Sequence, residues 1–121
     1  MQILIADNNK VLGELIEYYC ISLDYETRLV DNGRDALLEL KSRDYDLLIA
    51  DILLPYHTGL ELLDHLNDGE GASNPGKILL TRINNEKTVK KAFELGIDDY
   101  FVKPVDLDFL MRRIQKLLEN A

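Results

Sequence analysis

Short apolar runs alternate with longer stretches of helical period along the chain. Five runs have the length and composition of β-strands, at residues 3–6, 27–30, 47–50, 78–80 and 100–102. Three of them are apolar throughout, which is typical of strands that are covered on both faces. The pattern therefore predicts a sheet whose middle strands are buried between layers of helices.

Between the strands, apolar residues recur at the spacing that places them on one face of a helix. Residues that favour helix ends stand at 31–33, 58–59, 84–85, 96 and 106. The polar stretch 67–76 is predicted to be a loop, and no linker or internal repeat divides the chain, so residues 1–121 are predicted to form one domain. The predicted core faces are Leu12, Leu15, Ile16 and Tyr19; Ala36, Leu37 and Leu40; Leu62, Leu63 and Leu66; Val89, Ala92 and Phe93; and Leu110, Ile114, Leu117 and Leu118.

Five repeats of strand and helix predict an α/β fold with a doubly wound, five-stranded parallel sheet. Parallel strands need right-handed crossovers, and the strand order expected for this flavodoxin-like (βα)5 arrangement is 2-1-3-4-5. Ligands of such sheets bind at the carboxyl ends of the strands. The residues that directly follow the apolar runs are therefore the candidates for chemistry.

Polar residues follow four of the five strands: Asp7 and Asn8 the first, Asp51 the third, Thr81 the fourth and Lys103 the fifth. Two carboxylates and an amide oxygen at one edge form a hard oxygen site that suits Mg²⁺, and a nearby lysine lowers the cost of keeping Asp51 ionised. Such a site suits transfer of a phosphoryl group to the Asp51 carboxylate, with Lys103 and Thr81 bound to the phosphoryl oxygens.

Composition narrows the classes of function. A chain with 46% hydrophobic and 30% charged residues is typical of a globular domain. Its net charge of −8 repels phosphate backbones, so no direct binding of nucleic acid is expected. No apolar run approaches the roughly 20 residues of a membrane span and no leader opens the chain, so we expect a cytoplasmic protein without membrane contact. The single cysteine, Cys20, lies in an apolar helical stretch and is expected in the core.

Four motifs in order carry a resemblance to a known family: "ILIADN" at 3–8, "LLIADILLP" followed by "TG" at 47–59, "ILLT" at 78–81 and "DDYFVKP" at 98–104. Together they resemble the receiver domain of response regulators in bacterial or archaeal two-component signalling, over essentially the whole chain. The resemblance implies a phosphoacceptor that takes its phosphoryl group from a phosphohistidine on a sensor histidine kinase or a phosphotransfer protein. It implies that the chain is a signalling domain, which at most removes its own phosphoryl group slowly, and that it is not an enzyme with turnover.

The resemblance also implies roles for individual residues. Asp51 is the expected acceptor, and Mg²⁺ is expected on Asp7, Asp51 and the backbone carbonyl of Leu53, with Asn8 beside them. Thr81 is similar to the family's switch hydroxyl and Tyr100 to the aromatic residue that moves with it.

Lys103 resembles the lysine of the family's site, and the peptide bond before Pro104 is expected to be cis. Leu53 and Ile83 correspond to positions that border the path of hydrolytic water. The resemblance implies that the face formed by helix four, strand five and helix five carries the signal or the contact of a homodimer, with Phe109 as an apolar contact.

Two positions depart from the family pattern. Asn8 stands where a second acidic residue is usual, so weaker binding of Mg²⁺ is expected. Arg82 stands where a small residue is usual, and it is expected to cover the pocket, to pair with the phosphoryl group or to point to solvent.

Structural alternatives remain open for the same residues. Asp7 and Asn8 are also good helix caps, Thr81 can be an ordinary residue at the end of a strand, Lys103 a solvated charge and Tyr100 part of the core. His57 and His65 show no ligand spacing and are interpreted as surface residues. The alternative function is a receiver-shaped interaction module that works without phosphorylation.

Overall fold

The computed structural model describes residues 1–119, and in them five strands alternate with five helices. In chain order the elements are β1 (Gln2–Ala6), α1 (Lys10–Ser22), β2 (Glu26–Val30), α2 (Gly33–Ser42), β3 (Leu47–Asp51), α3 (Gly59–Asn67), β4 (Gly76–Thr81), α4 (Glu86–Glu94), β5 (Asp99–Val102) and α5 (Leu107–Glu119). Each predicted strand is present and lengthens by one to three residues. No helix in this described part of the chain is long and apolar enough to span a membrane.

The five strands form one parallel sheet in the order β2-β1-β3-β4-β5, which confirms the predicted topology. β3 lies at the centre of the sheet, and all five of its residues are buried. Because the strands are parallel, their carboxyl ends lie along one edge. The residues after β1, β3, β4 and β5 therefore meet at that edge.

Alternate residues of each strand pack into two separate core layers, one on each face of the sheet. On one face, Leu4 and Ala6 of β1 join a cluster with buried residues of α2, α3 and α4. On the other face, Ile3 and Ile5 join a cluster with α1 and α5. Cys20 lies in this second layer with no exposed surface, as expected from the sequence. Helices thus cover both faces of the sheet, and the fold is doubly wound.

The predicted core face of α1 is partly wrong. Leu15 and Tyr19 are 38% and 41% exposed, whereas the buried stripe consists of Gly13, Ile16 and Cys20. A β-carbon on Gly13 would lie only 2.7 Å from Leu29 Cδ1 of β2, so glycine is what lets this stripe approach the sheet. The helix is therefore rotated away from the face that its larger apolar residues predict.

Phe93 in α4 is also outside the core, with 50% of its surface exposed. α4 buries only Ala92 fully, so a narrow stripe of this helix contacts the sheet. The predicted face was too wide because Phe93, the residue after the buried Ala92, turns toward solvent.

Polar side chains cap the helices close to the predicted positions. Asn32, Thr58 and Asn85 accept hydrogen bonds at the starts of α2, α3 and α4, and Thr58 forms a reciprocal capping box with Glu61. α1 is capped by Asn9, whose Oδ1 accepts from the Leu12 amide at 3.2 Å. The interpretation of Asp7 and Asn8 as mere helix caps is therefore wrong.

Candidate functional site

Three strands bring two acidic side chains and one lysine together. Asp7 follows β1, Asp51 ends β3 and Lys103 follows β5. The Lys103 ammonium donates to Asp51 Oδ2 at 2.8 Å and to Asp7 Oδ1 at 3.1 Å. One cation thus bridges two carboxylates from neighbouring strands.

The three groups are withdrawn from solvent. Asp7 and Asp51 are 2% and 4% exposed, and the Lys103 side chain is 9% exposed. Burial by itself lowers the pKa of Lys103, but hydrogen bonds to Asp51 and Asp7 and attraction by both carboxylates outweigh it. The net result is a pKa above the ordinary value for lysine. Lys103 is therefore a buried, charged partner of the two acids, and its interpretation as a solvated charge is wrong.

The carboxylate oxygens fit a hard cation. Asp7 Oδ2 is buried and has no hydrogen-bond partner among the described residues, although it lies 2.9 Å from the Lys103 ammonium. The two carboxylates together carry one more charge than the lysine balances. An incompletely satisfied carboxylate pair is the donor set that Mg²⁺ accepts, with water completing its shell.

The loop after β3 turns back toward the same carboxylate. The Leu53 amide donates to Asp51 Oδ1 at 3.0 Å. Its carbonyl accepts no backbone hydrogen bond within residues 1–119, and its side chain is half exposed. Asn8 is exposed and lines a shallow groove with Asp7, Asp31 and Asp35. Asn8 therefore lies at the rim, beside the three central groups.

Thr81 and Tyr100 are linked through the loop that follows β4. Thr81 is fully buried, and its Oγ1 accepts from the Ile83 amide at 3.3 Å. The Tyr100 hydroxyl donates to the Ile83 carbonyl at 2.7 Å, and its ring packs on the core layer that faces α2, α3 and α4. Burial, together with the charge of Asp51, raises the pKa of Tyr100. Both predicted residues thus form hydrogen bonds with the backbone of Ile83.

The segment after β5 is held in a defined position. The Lys103 amide donates to the Thr81 carbonyl at 2.8 Å, which extends the pairing of β4 and β5 by one residue. The peptide bond between Lys103 and Pro104 is cis, as expected from the sequence. The hydrogen bond to Thr81 fixes the backbone from which the Lys103 side chain reaches the two acids.

Arg82 is exposed to solvent, and its pairing with a phosphoryl group stays a prediction. No carboxylate of the described residues pairs with it. It borders an open groove of about 620 Å³ that adjoins Lys103 and is lined mainly by apolar side chains of α1 and of the segment before α5.

Sequence reasoning missed one cluster close to the site. His57, in the loop after β3, and His65, in α3, lie with ring centres 5.4 Å apart in an edge-to-face contact. Neither is fully exposed, with side-chain exposures of 33% and 30%. Their spacing of eight residues gave no signal of this contact, because eight residues of a helix span about 12 Å, and α3 begins only after His57.

The fold and the acid–lysine cluster define a receiver-type α/β domain, and comparison with known proteins agrees. The profile of the family described as response regulator receiver domain matches residues 3–115, and the chain belongs to that family. It is 33% identical over 120 residues to the transcriptional regulatory protein PcoR of Escherichia coli. This match covers 99% of this chain and 52% of PcoR.

A second relative is the transcriptional regulatory protein CrdR of Helicobacter pylori, which is 31% identical over 119 residues, or 98% of this chain and 55% of CrdR. The chain thus spans about half the length of these curated relatives. The receiver domain of the Francisella response regulator 1452 has a TM-score of 0.88 at 25% identity, over 98% of this chain and 97% of that one. The chain is therefore a response regulator receiver domain, a class of domain that generally serves in two-component signalling rather than as a classical enzyme.

Proposed function

We propose that residues 1–121 act as one phosphoacceptor domain in the cytoplasm, with Asp51 as the acceptor. The phosphodonor is a phosphohistidine on a sensor histidine kinase or a histidine phosphotransfer protein. The observation that carries this proposal is the Lys103 ammonium, held between Asp51 and Asp7 at the carboxyl edge of the sheet. Membership of the receiver family supports the same reading.

The chemistry is a direct transfer between two nucleophiles. An Asp51 oxygen attacks phosphorus, an O–P bond forms, and the N–P bond to the donor imidazole breaks with its electron pair returning to nitrogen. The side chain of Asp51 is buried, anchored by the Leu53 amide and paired with the Lys103 ammonium, so its attacking oxygen is oriented before the donor arrives.

Other groups at the site would bind the metal ion or stabilise the charge on the phosphoryl oxygens. Asp7, Asp51, Asn8 and the Leu53 carbonyl are the groups that would hold Mg²⁺. When bound, the ion neutralises charge on the phosphoryl oxygens. Lys103 moves its hydrogen bonds from the carboxylates to a phosphoryl oxygen and stabilises the same charge.

Phosphorylation reaches the surface through the segment after β4. A phosphoryl group on Asp51 offers new acceptor oxygens to the Thr81 hydroxyl, whose one hydrogen bond within residues 1–119 is accepted from the Ile83 amide in the same loop. Movement of Thr81 would carry the Ile83 backbone with it, and Tyr100 is bonded to that backbone. We propose that this linked displacement of Thr81 and Tyr100 changes the surface that a partner or output domain recognises.

Acetyl phosphate with Mg²⁺ and intact-mass detection tests the proposal. The parent should gain one phosphoryl group, and Asp51→Asn should gain none, because an amide is not a nucleophile toward phosphorus. Asp44→Asn, at an exposed aspartate away from the edge, is the matched control and should behave as the parent. Labelling of Asp51→Asn at the parental rate would show that Asp51 is not the acceptor, and an unlabelled parent would favour the interaction module without phosphorylation.

A further inference from the structure

His57 and His65 form an imidazole pair that the acceptor site does not use. Their ring centres are 5.4 Å apart at an interplanar angle of 79°. Two imidazoles bound to one tetrahedral metal, with metal–nitrogen bonds of about 2.0 Å, have ring centres about 5 Å apart. The pair therefore has the separation that a shared metal ion requires.

One ring nitrogen of the pair is available for coordination. His57 Nδ1 is buried and has no hydrogen-bond partner among residues 1–119. Glu61 Oε2 lies 4.0 Å from it, while Glu61 Oε1 accepts from the Thr58 amide at 3.1 Å in the capping box. Ligand atoms on one tetrahedral metal are about 3.3 Å apart, so a small side-chain shift brings Glu61 into range.

The second imidazole is oriented by a carboxylate. His65 Nδ1 and Glu70 Oε2 are 2.7 Å apart, and Glu70 is in turn 3.7 Å from Lys41 of α2. A carboxylate on one ring nitrogen fixes the tautomer and leaves the other nitrogen as a ligand, which is the usual support of a metal-binding histidine. Glu70 therefore serves as an orienting group for His65.

We propose that His57 and His65 bind a borderline divalent transition-metal ion, with Zn²⁺ as the representative case. Imidazole selects such ions over Mg²⁺, which keeps oxygen ligands. No three His, Cys, Asp or Glu side chains in the described chain are already arranged around a metal position. The site is thus a histidine pair that completes its shell with water and Glu61, in the loop between Asp51 and α3.

The composition of the chain makes this site easy to isolate. His57 and His65 are its two histidines, so every imidazole signal belongs to the pair. The single cysteine does not compete, because Cys20 is buried in the core and burial raises its pKa to about 11. Excess Mg²⁺ occupies the oxygen ligands of Asp7 and Asp51 during a Zn²⁺ titration.

Long-range ¹H–¹⁵N spectra of the two imidazoles during this titration form the first measurement. We expect both rings to shift together and to saturate at one equivalent of Zn²⁺. Shift of one ring alone, or of neither, overturns the proposal. This outcome depends on the parent protein only, so it does not require any variant to fold.

Calorimetry on variants forms the second measurement. His57→Gln and His65→Gln should each weaken Zn²⁺ binding about tenfold or more, and Glu61→Gln by a smaller factor of about three. Glutamine at position 61 keeps the capping box. Glu14→Gln is the matched control, because Glu14 and Glu61 are similarly exposed, at 56% and 53%, and it should bind as the parent does. Parental affinity in both histidine variants overturns the proposal, whatever the result for phosphorylation of Asp51.

Discussion

Lys103 is the cation that balances two buried carboxylates, and its removal exposes their repulsion. We predict that Lys103→Met lowers the free energy of unfolding by about 2 kcal/mol at neutral pH without Mg²⁺, because Asp7 and Asp51 lose their shared partner. Mg²⁺ should restore part of this loss, since a divalent ion between the carboxylates replaces the missing charge. Urea unfolding with and without Mg²⁺ measures both effects.

Lys90→Met is the control for that variant. Lys90 is exposed on α4, so its replacement should change the free energy of unfolding by less than about 0.5 kcal/mol. If Lys103→Met proves as stable as Lys90→Met, and Mg²⁺ stabilises both equally, the ammonium does not hold the two acids together.

Cys20 makes the free energy of unfolding fall as the pH becomes alkaline. Burial, with a smaller contribution from the charge of Glu17, raises the pKa of this thiol from 9.0 to about 11. The folded state thus favours the neutral thiol, and its contribution is complete below pH 9 and lost as the pH rises from about 9 to about 11. We predict that the destabilisation caused by Cys20→Ala is smaller by about 1 kcal/mol at pH 10 than at pH 8.

Urea unfolding under reducing conditions at the two pH values measures this difference. The parent and the variant share every other titrating side chain, so the comparison isolates the thiol. An equal penalty for Cys20→Ala at pH 8 and pH 10 would mean that the thiol ionises as easily in the folded as in the unfolded chain.

Among the elements, the loop between β3 and α3 is positioned by α2. The Gly33 amide donates to the Pro55 carbonyl at 2.9 Å, and a β-carbon on Gly33 would lie 1.8 Å from the His57 carbonyl oxygen. Only glycine permits this approach. Arg34 also lies over the ring of Tyr56, which has a positive φ of 71°. α2 therefore fixes the loop that carries Leu53 and His57.

The loops after β3 and β4 also set the expected lifetime of a phosphorylated Asp51. Leu53 is half exposed and Ile83 is tied by its backbone to Thr81 and Tyr100. Neither side chain can orient a water molecule for attack on phosphorus, so we predict slow decay. The double variant Leu53→Asn and Ile83→Glu should decay about tenfold faster, because both new side chains can hydrogen-bond water.

Removal of the donor followed by mass analysis at constant Mg²⁺ gives the decay rate. Leu38→Asn, at an exposed leucine of α2, is the control and should keep the parental lifetime. Equal decay of the parent and the double variant would show that these two side chains do not govern access of water.

For the whole molecule, the surface of α4, β5 and α5 has the composition of a contact surface. Phe93, Val102 and Phe109 are exposed by 50%, 37% and 48%, and Arg113 donates to Asp99 Oδ2 at 2.8 Å beside them. We propose a second copy of the chain as the partner of this face. Phe109→Asp should abolish dimerisation of the phosphorylated form in analytical ultracentrifugation, because the interface loses an aromatic contact and gains a charge.

Leu38→Asp places the same charge on an exposed leucine of α2 and serves as the control. Equal sedimentation of phosphorylated Phe109→Asp and the phosphorylated parent would assign the exposed phenylalanines to another role. A parent that remains monomeric after phosphorylation would likewise assign the exposed phenylalanines to another role.

The pattern of residues along the chain was enough to predict the sheet, its strand order and the edge that Asp7, Asp51, Thr81 and Lys103 share. Strand patterns are local, and the rules of handedness leave few ways to join parallel strands, so the ends of β1, β3, β4 and β5 had to share one edge. The helix caps at Asn32, Thr58 and Asn85 were predictable for the same local reason.

Three features could be seen only in the folded chain: which face of α1 is buried, how Tyr100 reaches Ile83, and that His57 contacts His65. The first depends on the close fit of Gly13 against Leu29, and the second on a hydrogen bond between residues that are 17 positions apart. The third depends on the path of a loop that α2 holds in place. Such contacts arise from packing between distant segments, and the periodicity of one segment carries no information about the side chains of another.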